Sequence, residues 1–486
     1  MKRLGLLFIA GLCFAAVDLH VDAQDQAALD RISAAGMRGN LSFLSSDLLE
    51  GRDTPSRGLD LAAEFIASQF RRAGLEPVGG TDFFQPADFL QVTPDPEGMA
   101  VSLDDDKKTL PVKDVLARNL NTVDLKFAPI YKIDSREIPS LEGKVALLQV
   151  PDPRGEGGRE QFLKYQEFLK LAQQQHPAAI LAIGQVRRGP QGASRLVEAS
   201  SAADPPMVYI GDAEAVKLLE GLNSGETKAT LTLHIKEPKK APVKLRNVAG
   251  VLRGSDPALA KTYLLVTAHY DHLGMKSAGD GDRIYNGAND DGSGTVSVIE
   301  IANALAAMKQ HPKRSIVFMT FFGEEKGLFG SRYYASHPLF PLKQTVAQIN
   351  LEQLCRTDDT EGPQVASATF TGFDFSDLPR TFEEAGKATG VKVYKNEKNS
   401  DAFFSRSDNQ SLADAGIPAH TLAVSYEFPD YHQVGDEWQK VDYDNMAKVD
   451  RMVALGLLTI ANRAEPPRWN EKNSKTEKYV EAARKL

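Results

Sequence analysis

The sequence predicts an α/β fold in which a mixed, mostly parallel central sheet is flanked by helices. Apolar β-like runs alternate with amphipathic helical patterns through the second half of the chain, as is typical of parallel sheets. Polar clusters follow several of these runs, where ligands bind in open α/β sheets. A stretch of different texture interrupts the pattern between about residues 94 and 242, and we interpret it as an inserted, smaller, β-rich α/β domain.

The length and composition indicate a globular protein with more than one domain. The 486 residues exceed what one hydrophobic core holds, and 42% apolar with 25% charged residues is an ordinary globular composition. The formal net charge of −8 comes without a basic cluster. This argues against nucleic acid as a partner, because phosphate binding needs a basic patch.

The N-terminus has the pattern of a signal peptide over residues 1–23. Lys2 and Arg3 precede an uncharged apolar run that ends at Val17, and small residues before Gln24 fit a cleavage site. The run is short for a membrane span, which needs about 20 residues. We therefore expect an exported protein, periplasmic or secreted, with no stable membrane span in the mature chain. A lipoprotein or a retained anchor is the lesser alternative.

The remaining chain divides into four segments. Residues 24–93 show helical spacing, including a helix over Asp60–Gly74 that a glycine closes, and form the N-terminal part of the main domain. Residues 94–242 are the insert, and residues 243–465 are the larger part of the main domain, which carries the chemistry. Residues 466–486 are a charged tail that we expect to be exposed or partly disordered.

Four strands and four helices are predicted in the larger part of the main domain. The strands are Tyr263–Ala268, Ser315–Phe322, Val346–Leu351 and Ala419–Ser425. The helices are Thr295–Met308, Gly330–Ser336, Leu378–Thr389 and Asp444–Asn462. The last helix carries an apolar stripe, so we expect it to face the core.

Imidazole and carboxylate side chains follow these strands. They are His269 and Asp271 after the first, Asp290 and Asp291 in the next loop, Glu324 and Glu325 after the second, Glu352 after the third, and Tyr431 and His432 after the fourth. Two histidines with several carboxylates and no thiolate suit zinc, manganese or cobalt. These candidate ligands are more than one open catalytic zinc needs. Two metals about 3.5–4 Å apart that share a carboxylate would use them all.

Each cluster alone also has a structural interpretation. A lone histidine near a strand end is more often a packing residue, and paired glutamates before a helix favour its dipole. The segment Asn289–Gly294 alone could be a turn with a helix cap. Hard ligands follow all four strands, however, and a structural role is a poor explanation for all of them. Together they favour a metal site.

The successive motifs resemble those of metallopeptidase family twenty-eight, the co-catalytic zinc exopeptidases. The motifs are AHYDHLG (268–274), NGANDDGSGT (286–295), FFGEEKGLFGS (321–331), INLEQL (349–354) and YHQVGDEWQKVD (431–442). The resemblance covers about residues 245–462, and it extends to residues 43–52 and the helix that follows them. The insert is similar to the protease-associated domain that many members carry.

The resemblance implies a role for each of these side chains. The implied metal ligands are His269 and Glu352 for one ion, Glu325 and His432 for the other, and Asp290 as the bridge between them. The other implied roles are a general base for Glu324, an orienting carboxylate for Asp271 beside His269, and an oxyanion contact for Tyr431. The family pattern also implies a cis peptide between Asp290 and Asp291.

Two positions depart from the family pattern. Glu352 stands where the family often has Asp, and Asn409 stands where it frequently has His. The longer arm of Glu352 still allows coordination, whereas Asn409 affects the expected substrate pocket rather than the ligand set. His272 recurs in related motifs, but we assign it a loop contact and no metal role.

The expected function is zinc-dependent exopeptidase activity, most simply that of an aminopeptidase acting on peptide substrates. The expected cofactors are two zinc ions, with manganese or cobalt as alternatives. A carboxypeptidase on the same scaffold and a single-zinc glutaminyl cyclase stay open as alternatives. A non-catalytic, receptor-like binding protein is disfavoured because such relatives lose ligands that this chain keeps. The oligomeric state is left open.

Overall fold

A computed structural model describes residues 21–95, 98–103, 108–109, 115–152, 158–184, 194–199 and 204–486. The predicted signal peptide therefore lies, up to residue 20, outside the described residues. The chain forms two compact units, one made of residues up to Ala87 with Leu245–Leu486, the other of Asp88–Lys244. Among the described helices, none combines the length and apolar character that crossing a bilayer requires.

The described strands are numbered in chain order. They are β1 (Glu76–Pro77), β2 (Phe84–Thr93), β3 (Met99–Leu103), β4 (Lys108–Thr109), β5 (Val115–Arg118), β6 (Val123–Lys132), β7 (Val145–Val150), β8 (Ala179–Gly184), β9 (Arg195–Glu198), β10 (Met207–Ile210), β11 (Gly225–Ile235), β12 (Lys239–Leu252), β13 (Tyr263–His269), β14 (Gly274–Met275), β15 (Ile284–Tyr285), β16 (Ser315–Phe321), β17 (Thr345–Leu351), β18 (Asp358–Asp359), β19 (Gly362–Pro363), β20 (Ser367–Phe370), β21 (Lys392–Tyr394) and β22 (Ala419–Ala423).

The described helices are numbered in the same way. They are α1 (Ala23–Leu29), α2 (Ala34–Leu44), α3 (Arg57–Ala73), α4 (Gly158–Gln173), α5 (Ala213–Glu220), α6 (Gly294–Ala306), α7 (Phe329–Ser336), α8 (Leu378–Thr389), α9 (Ser400–Phe403), α10 (Asn409–Asp414), α11 (Tyr443–Asn462) and α12 (Glu477–Ala483).

The central sheet of the first unit has the order β21-β20-β22-β17-β13-β16-β12. The four strands predicted from the sequence are neighbours in it, and the pairs β17/β22, β13/β17 and β13/β16 are parallel. Antiparallel β12 and β20 flank them. The expected mixed α/β fold with a helix-flanked sheet is confirmed. Because these four strands are parallel, their carboxyl ends meet at one edge.

Burial explains why these strands and helices form. Every residue of β13, β16 and β22 is buried, as is typical of strands covered on both faces. Helices α6 and α11 both pack on the sheet and bury most of their residues. Helix α3 ends at Gly74, whose φ of 79° is the left-handed conformation that glycine adopts without strain.

Two regions differ from the sequence expectations. In the segment where helical spacing was expected, Leu48 continues the spacing of Leu41 and Leu44, but α2 ends at Leu44 and a turn over Asp47–Arg52 leaves Leu48 78% exposed. The tail expected to be exposed instead places Trp469, Tyr479 and Val480 in a hydrophobic cluster with residues of the sheet. The burial of these three apolar residues was not predicted because most of the residues around them in the tail are charged or polar.

The second unit has its own sheet, with the order β4-β3-β11-β6-β7-β8-β10-β5. Parallel pairs β6/β7, β7/β8 and β8/β10 form its centre, and antiparallel pairs lie on both sides. A separate core of alternate residues of these strands and of α5 stabilises it. Its identity as a protease-associated domain stays a prediction.

A carboxyl group is buried on helix α11 of the first unit. Asp450 is fully buried, and its two oxygens have no hydrogen-bond partner among the described residues. Burial is the largest cause that raises the pKa of Asp450 to about 8; the nearby Glu300 carboxylate adds to the shift and Ser297 opposes it. Asp450 is therefore protonated in the folded chain at neutral pH.

We expect Asp450→Asn to change how stability depends on pH. An unfolded Asp titrates near pH ~3.9. The contribution of Asp450 to the free energy of unfolding of the parent therefore falls as pH rises from there to about 8. The variant has no such proton to lose. Its melting temperature relative to the parent should therefore rise by ~2–4 °C or more between pH 5 and pH 8. Asp444→Asn, an exposed change on the same helix, is the control, and a pH-independent difference would contradict the assignment.

Candidate metal centre

The site lies where the four parallel strands end. His269 is the last residue of β13, and Glu352 directly follows β17. Glu324 and Glu325 lie in the turn after β16, and a turn over Ala288–Ser293 carries Asp290 to the same edge. The topology thus assembles side chains that are far apart in the sequence.

Asp290 lies between two imidazoles. Its Oδ1 is 3.3 Å from His269 Nε2, and its Oδ2 is 3.0 Å from His432 Nε2. One carboxylate therefore faces one histidine with each oxygen. This is the arrangement that a carboxylate bridging two metal ions requires.

Two groups of three residues could each hold a metal ion, and they share Asp290. The groups are His269, Asp290 and Glu352, and His272, Asp290 and Glu325; within each, the candidate ligand atoms lie within 4.8 Å of one another. His432 Nε2 lies 3.5 Å from Glu325 Oε1, beside the second group. The structure thus brings together all five side chains predicted as ligands, and it adds His272.

The donor atoms of these groups fit a metal. His269 Nε2, Glu325 Oε1 and Glu352 Oε2 are buried without a hydrogen-bond partner among the described residues. Buried polar atoms are normally satisfied, so an unpaired set that converges on two points indicates ligands for cations. Nitrogen and carboxylate donors without thiolate suit zinc, manganese or cobalt.

Backbone hydrogen bonds hold the turn that carries Asp290. The buried Asp436 carboxylate accepts from the backbone N–H groups of Asn289 and Asp290 at 3.0 and 3.1 Å. The Asp291 carboxylate accepts from the N–H groups of His269 and Gly294 at 3.2 and 2.9 Å. Asp291 thus joins β13 to the turn, and the Asp290–Asp291 peptide is cis, as the resemblance implies.

Asp271 connects His269 to Glu324. Its backbone carbonyl oxygen makes the hydrogen-bond contact with His269 Nδ1, at 3.2 Å, and its Oδ1 is 3.6 Å from the same nitrogen. Oδ1 accepts a hydrogen bond of 3.0 Å from the Glu324 backbone N–H. Thr54 donates to the other carboxylate oxygen at 3.1 Å. Asp271 therefore lies where an orienting carboxylate for His269 is expected, and it also fixes the backbone from which the Glu324 side chain extends.

Burial and like charges set the electrostatics of the site. Burial is the largest cause that raises the pKa of Glu352 to about 7, and burial with the nearby Glu352 carboxylate holds the pKa of Glu324 well above its usual range. Burial opposes ionisation of Glu325 as well, but the imidazoles of His272 and His432 lower its pKa to about 2. The site therefore concentrates negative charge that a cation would stabilise.

The comparisons with known proteins agree with this geometry. Residues 247–456 match the family model described as peptidase family M28. This segment, which includes the predicted metal ligands, is similar to that family. The chain is similar in fold to an aminopeptidase from Aneurinibacillus sp. strain AM-1, with 21% identity over 92% of this chain and 97% of that one and a TM-score of 0.54.

Several curated relatives of this chain come from fungi. It is 24% identical to a probable leucine aminopeptidase 2 of Aspergillus oryzae, over 70% of this chain and 67% of that protein. It is 29% identical to a probable zinc metalloprotease of Leptosphaeria maculans, over 40% of this chain and 43% of that protein. The chain thus spans less than two thirds of some of the relatives it matches.

The expected periplasmic or secreted location is corrected by other relatives. Proteins of Verticillium alfalfae and Candida tropicalis that match part of this chain are named vacuolar membrane protease. Those names state a vacuolar membrane rather than the periplasm or the exterior. The N-terminal pattern on which the expectation was based lies largely outside the described residues.

The structure shows contacts of four residues that the sequence did not indicate. His272 joins the second metal-binding group, whereas we expected only a loop contact. Arg52 and Asp436 lie within the quoted motifs, but nothing in their spacing indicated which backbone groups they bind. Asn409, expected to affect the substrate pocket, is buried and bonds to Phe404 and Thr421.

Arg52 holds several backbone segments of the site together. Its fully buried guanidinium donates to the carbonyl oxygens of Tyr270, Asn286 and Gly287 at 2.9, 2.8 and 3.0 Å, and to that of Leu44. Burial lowers the pKa of Arg52 to about 10, with nearby carboxylates opposing the shift, so it stays charged at neutral pH. One side chain therefore joins the β13 end to the segment that leads to Asp290.

We expect Arg52→Lys to destabilise the fold and weaken metal binding. Lysine presents a point charge and cannot reproduce the planar set of donors, so buried carbonyls lose partners. The free energy of unfolding should fall by about 2–4 kcal/mol, as measured by denaturant unfolding, and zinc affinity should fall with it. Arg57→Lys, an exposed change on α3, is the control. An unchanged unfolding midpoint for Arg52→Lys would refute this role.

Proposed function

We propose that this chain is a two-zinc exopeptidase that removes N-terminal residues from peptides. The observation that carries the proposal is the Asp290 carboxylate, with His269 at one oxygen and His432 at the other. Glu352 and Glu325 complete one ion site each. The printed names of the Aspergillus and Aneurinibacillus relatives favour the aminopeptidase assignment. Manganese or cobalt are the alternative metals.

Bound zinc would supply a water of lowered pKa and polarise the scissile carbonyl. The residue of this chain that we propose to transfer the proton of that water is Glu324. Glu324 is adjacent to the proposed ligand Glu325, and its backbone is held by Asp271. Its carboxylate takes the proton of the attacking water and passes it to the leaving amine. Its raised pKa, caused mainly by burial, suits a group that must both accept and release a proton.

Tyr431 is proposed to contact the developing oxyanion. Its ring stacks on the His432 ring, with centroids 4.1 Å apart, and the residue is 37% exposed. Stacking holds the phenol beside the proposed second ion site, while exposure leaves it open to substrate. A phenol O–H that donates to the carbonyl oxygen stabilises negative charge as it forms.

We expect Glu324→Gln to keep both metal ions and to lose turnover by about three orders of magnitude or more. The amide has nearly the shape of the carboxylate but cannot accept the proton. Metal content per chain and kcat on an aminoacyl chromogenic substrate are the two measurements. Glu397→Gln, at an exposed ion pair with Lys395, should behave like the parent. Near-normal turnover of Glu324→Gln would show that Glu324 is not the general base.

A substrate panel tests the exopeptidase proposal itself. We expect zinc-dependent release of the N-terminal residue from short peptides with a free amine, and none from peptides acetylated at that amine. Hydrolysis that needs a free C-terminus instead would indicate a carboxypeptidase. Pyroglutamate formation from an N-terminal glutaminyl peptide, with one zinc per chain, would indicate a cyclase. No turnover in any arm, with metal bound, would contradict the enzyme assignment.

A further inference from the structure

His272 is a buried imidazole that the proposed catalytic roles leave unused. It is fully buried, and both of its ring nitrogens lack a hydrogen-bond partner among the described residues. A buried histidine normally donates from one nitrogen and accepts at the other. An imidazole with neither contact, inside a cluster of carboxylates, requires a different partner.

The nearest polar atom indicates which partner this is. His272 Nδ1 lies 2.8 Å from Glu325 Oε1, which is an ion-pair distance. Burial opposes ionisation of this carboxyl group, but the imidazole lowers its pKa. Two ligands of one tetrahedral zinc, each about 2.0–2.1 Å from the ion, lie ~3.3 Å apart. The observed 2.8 Å is about 0.5 Å shorter than this spacing, so a bound ion would require the two atoms to move slightly apart. What indicates a common cation is that His272, Asp290 and Glu325 offer ligand atoms within 4.8 Å of one another.

The surroundings of the ring hold it in this place. A Cβ atom added to Gly287 would lie 2.6 Å from the His272 ring, so the ring rests directly on the glycine backbone. On another side, the His272 and His432 rings meet edge to face, with centroids 5.8 Å apart. His432 Nε2 also approaches Glu325 Oε1, at 3.5 Å. Two imidazoles thus converge on one carboxylate oxygen.

We propose that His272 is a direct ligand of the second metal ion, beside Glu325, His432 and Asp290. The inference rests on the proposed two-metal function and deepens it. The two sites are then unequal. The first has one imidazole, from His269, with two carboxylates; the second has two imidazoles and two carboxylates. The second ion is the more tightly held, because nitrogen donors bind zinc more strongly than carboxylate oxygens alone.

A pair of substitutions separates a ligand from a merely orienting residue. Asparagine carries its amide nitrogen at the δ position, so His272→Asn keeps a hydrogen-bond donor toward Glu325 but is a poor zinc ligand. We expect both His272→Ala and His272→Asn to weaken one zinc site by about 100-fold or more, with the other unchanged. Zinc competition against a chromogenic chelator measures both affinities. His176→Ala, an exposed histidine, is the control.

Spectroscopy gives readouts that do not depend on activity. The absorption bands of the cobalt-loaded protein should change in His272→Asn, because a nitrogen donor is lost. X-ray absorption of the unmodified zinc-loaded chain, which requires no variant to fold, should detect three imidazoles shared by two ions. Two imidazoles shared by two ions would overturn the proposal, as would parental zinc affinity of His272→Asn. Either result with two ions bound and substrate hydrolysed leaves the proposed function intact, whereas a parent chain that binds no zinc refutes that function.

Discussion

The concentration of buried carboxylates at one sheet edge is the constraint on which the site depends. Parallel strands end together, so the acidic groups that follow them are brought close and taken out of water at the same time. Burial raises the pKa of Glu324 and Glu352, and proximity adds to the effect. The nearby buried Arg52 guanidinium interacts electrostatically with several of these carboxylates, but its hydrogen bonds go to backbone carbonyls. Divalent cations fit this requirement.

The surrounding structure is organised to keep Asp290 in place. Asp436 binds the backbone of the turn, Asp291 joins the turn to β13, and Arg52 binds the segment before it. These contacts are made to backbone groups, so they fix position while leaving the carboxylate of Asp290 free. A bridging carboxylate must satisfy two ions at once, and an error of about 1 Å at either oxygen would lower affinity for both.

The parts of the fold that depend on local pattern were predictable from the sequence. The four parallel strands and α8 were found nearly to the residue, because their apolar runs are bounded by polar turns. Strand β2 was not predicted within the N-terminal segment, because Pro86 and Asp88 obscure its alternation of buried and exposed residues. His272 and Arg52 could not be assigned, because their partners lie far along the chain and include backbone groups, which no motif encodes.

The position of His272 bears on metal preference as well as on affinity. The group around His269 is rich in oxygen, because Glu352 and Asp290 supply most of its donors. Oxygen-rich sites accept manganese more readily, whereas imidazole favours zinc. In the proposed arrangement, with His272 and His432 on the second ion, the two sites would differ in chemical hardness although they share one carboxylate. The ion on the Glu352 side would then exchange more readily than the ion on the Glu325 side, and partial chelation would leave the Glu325 side occupied.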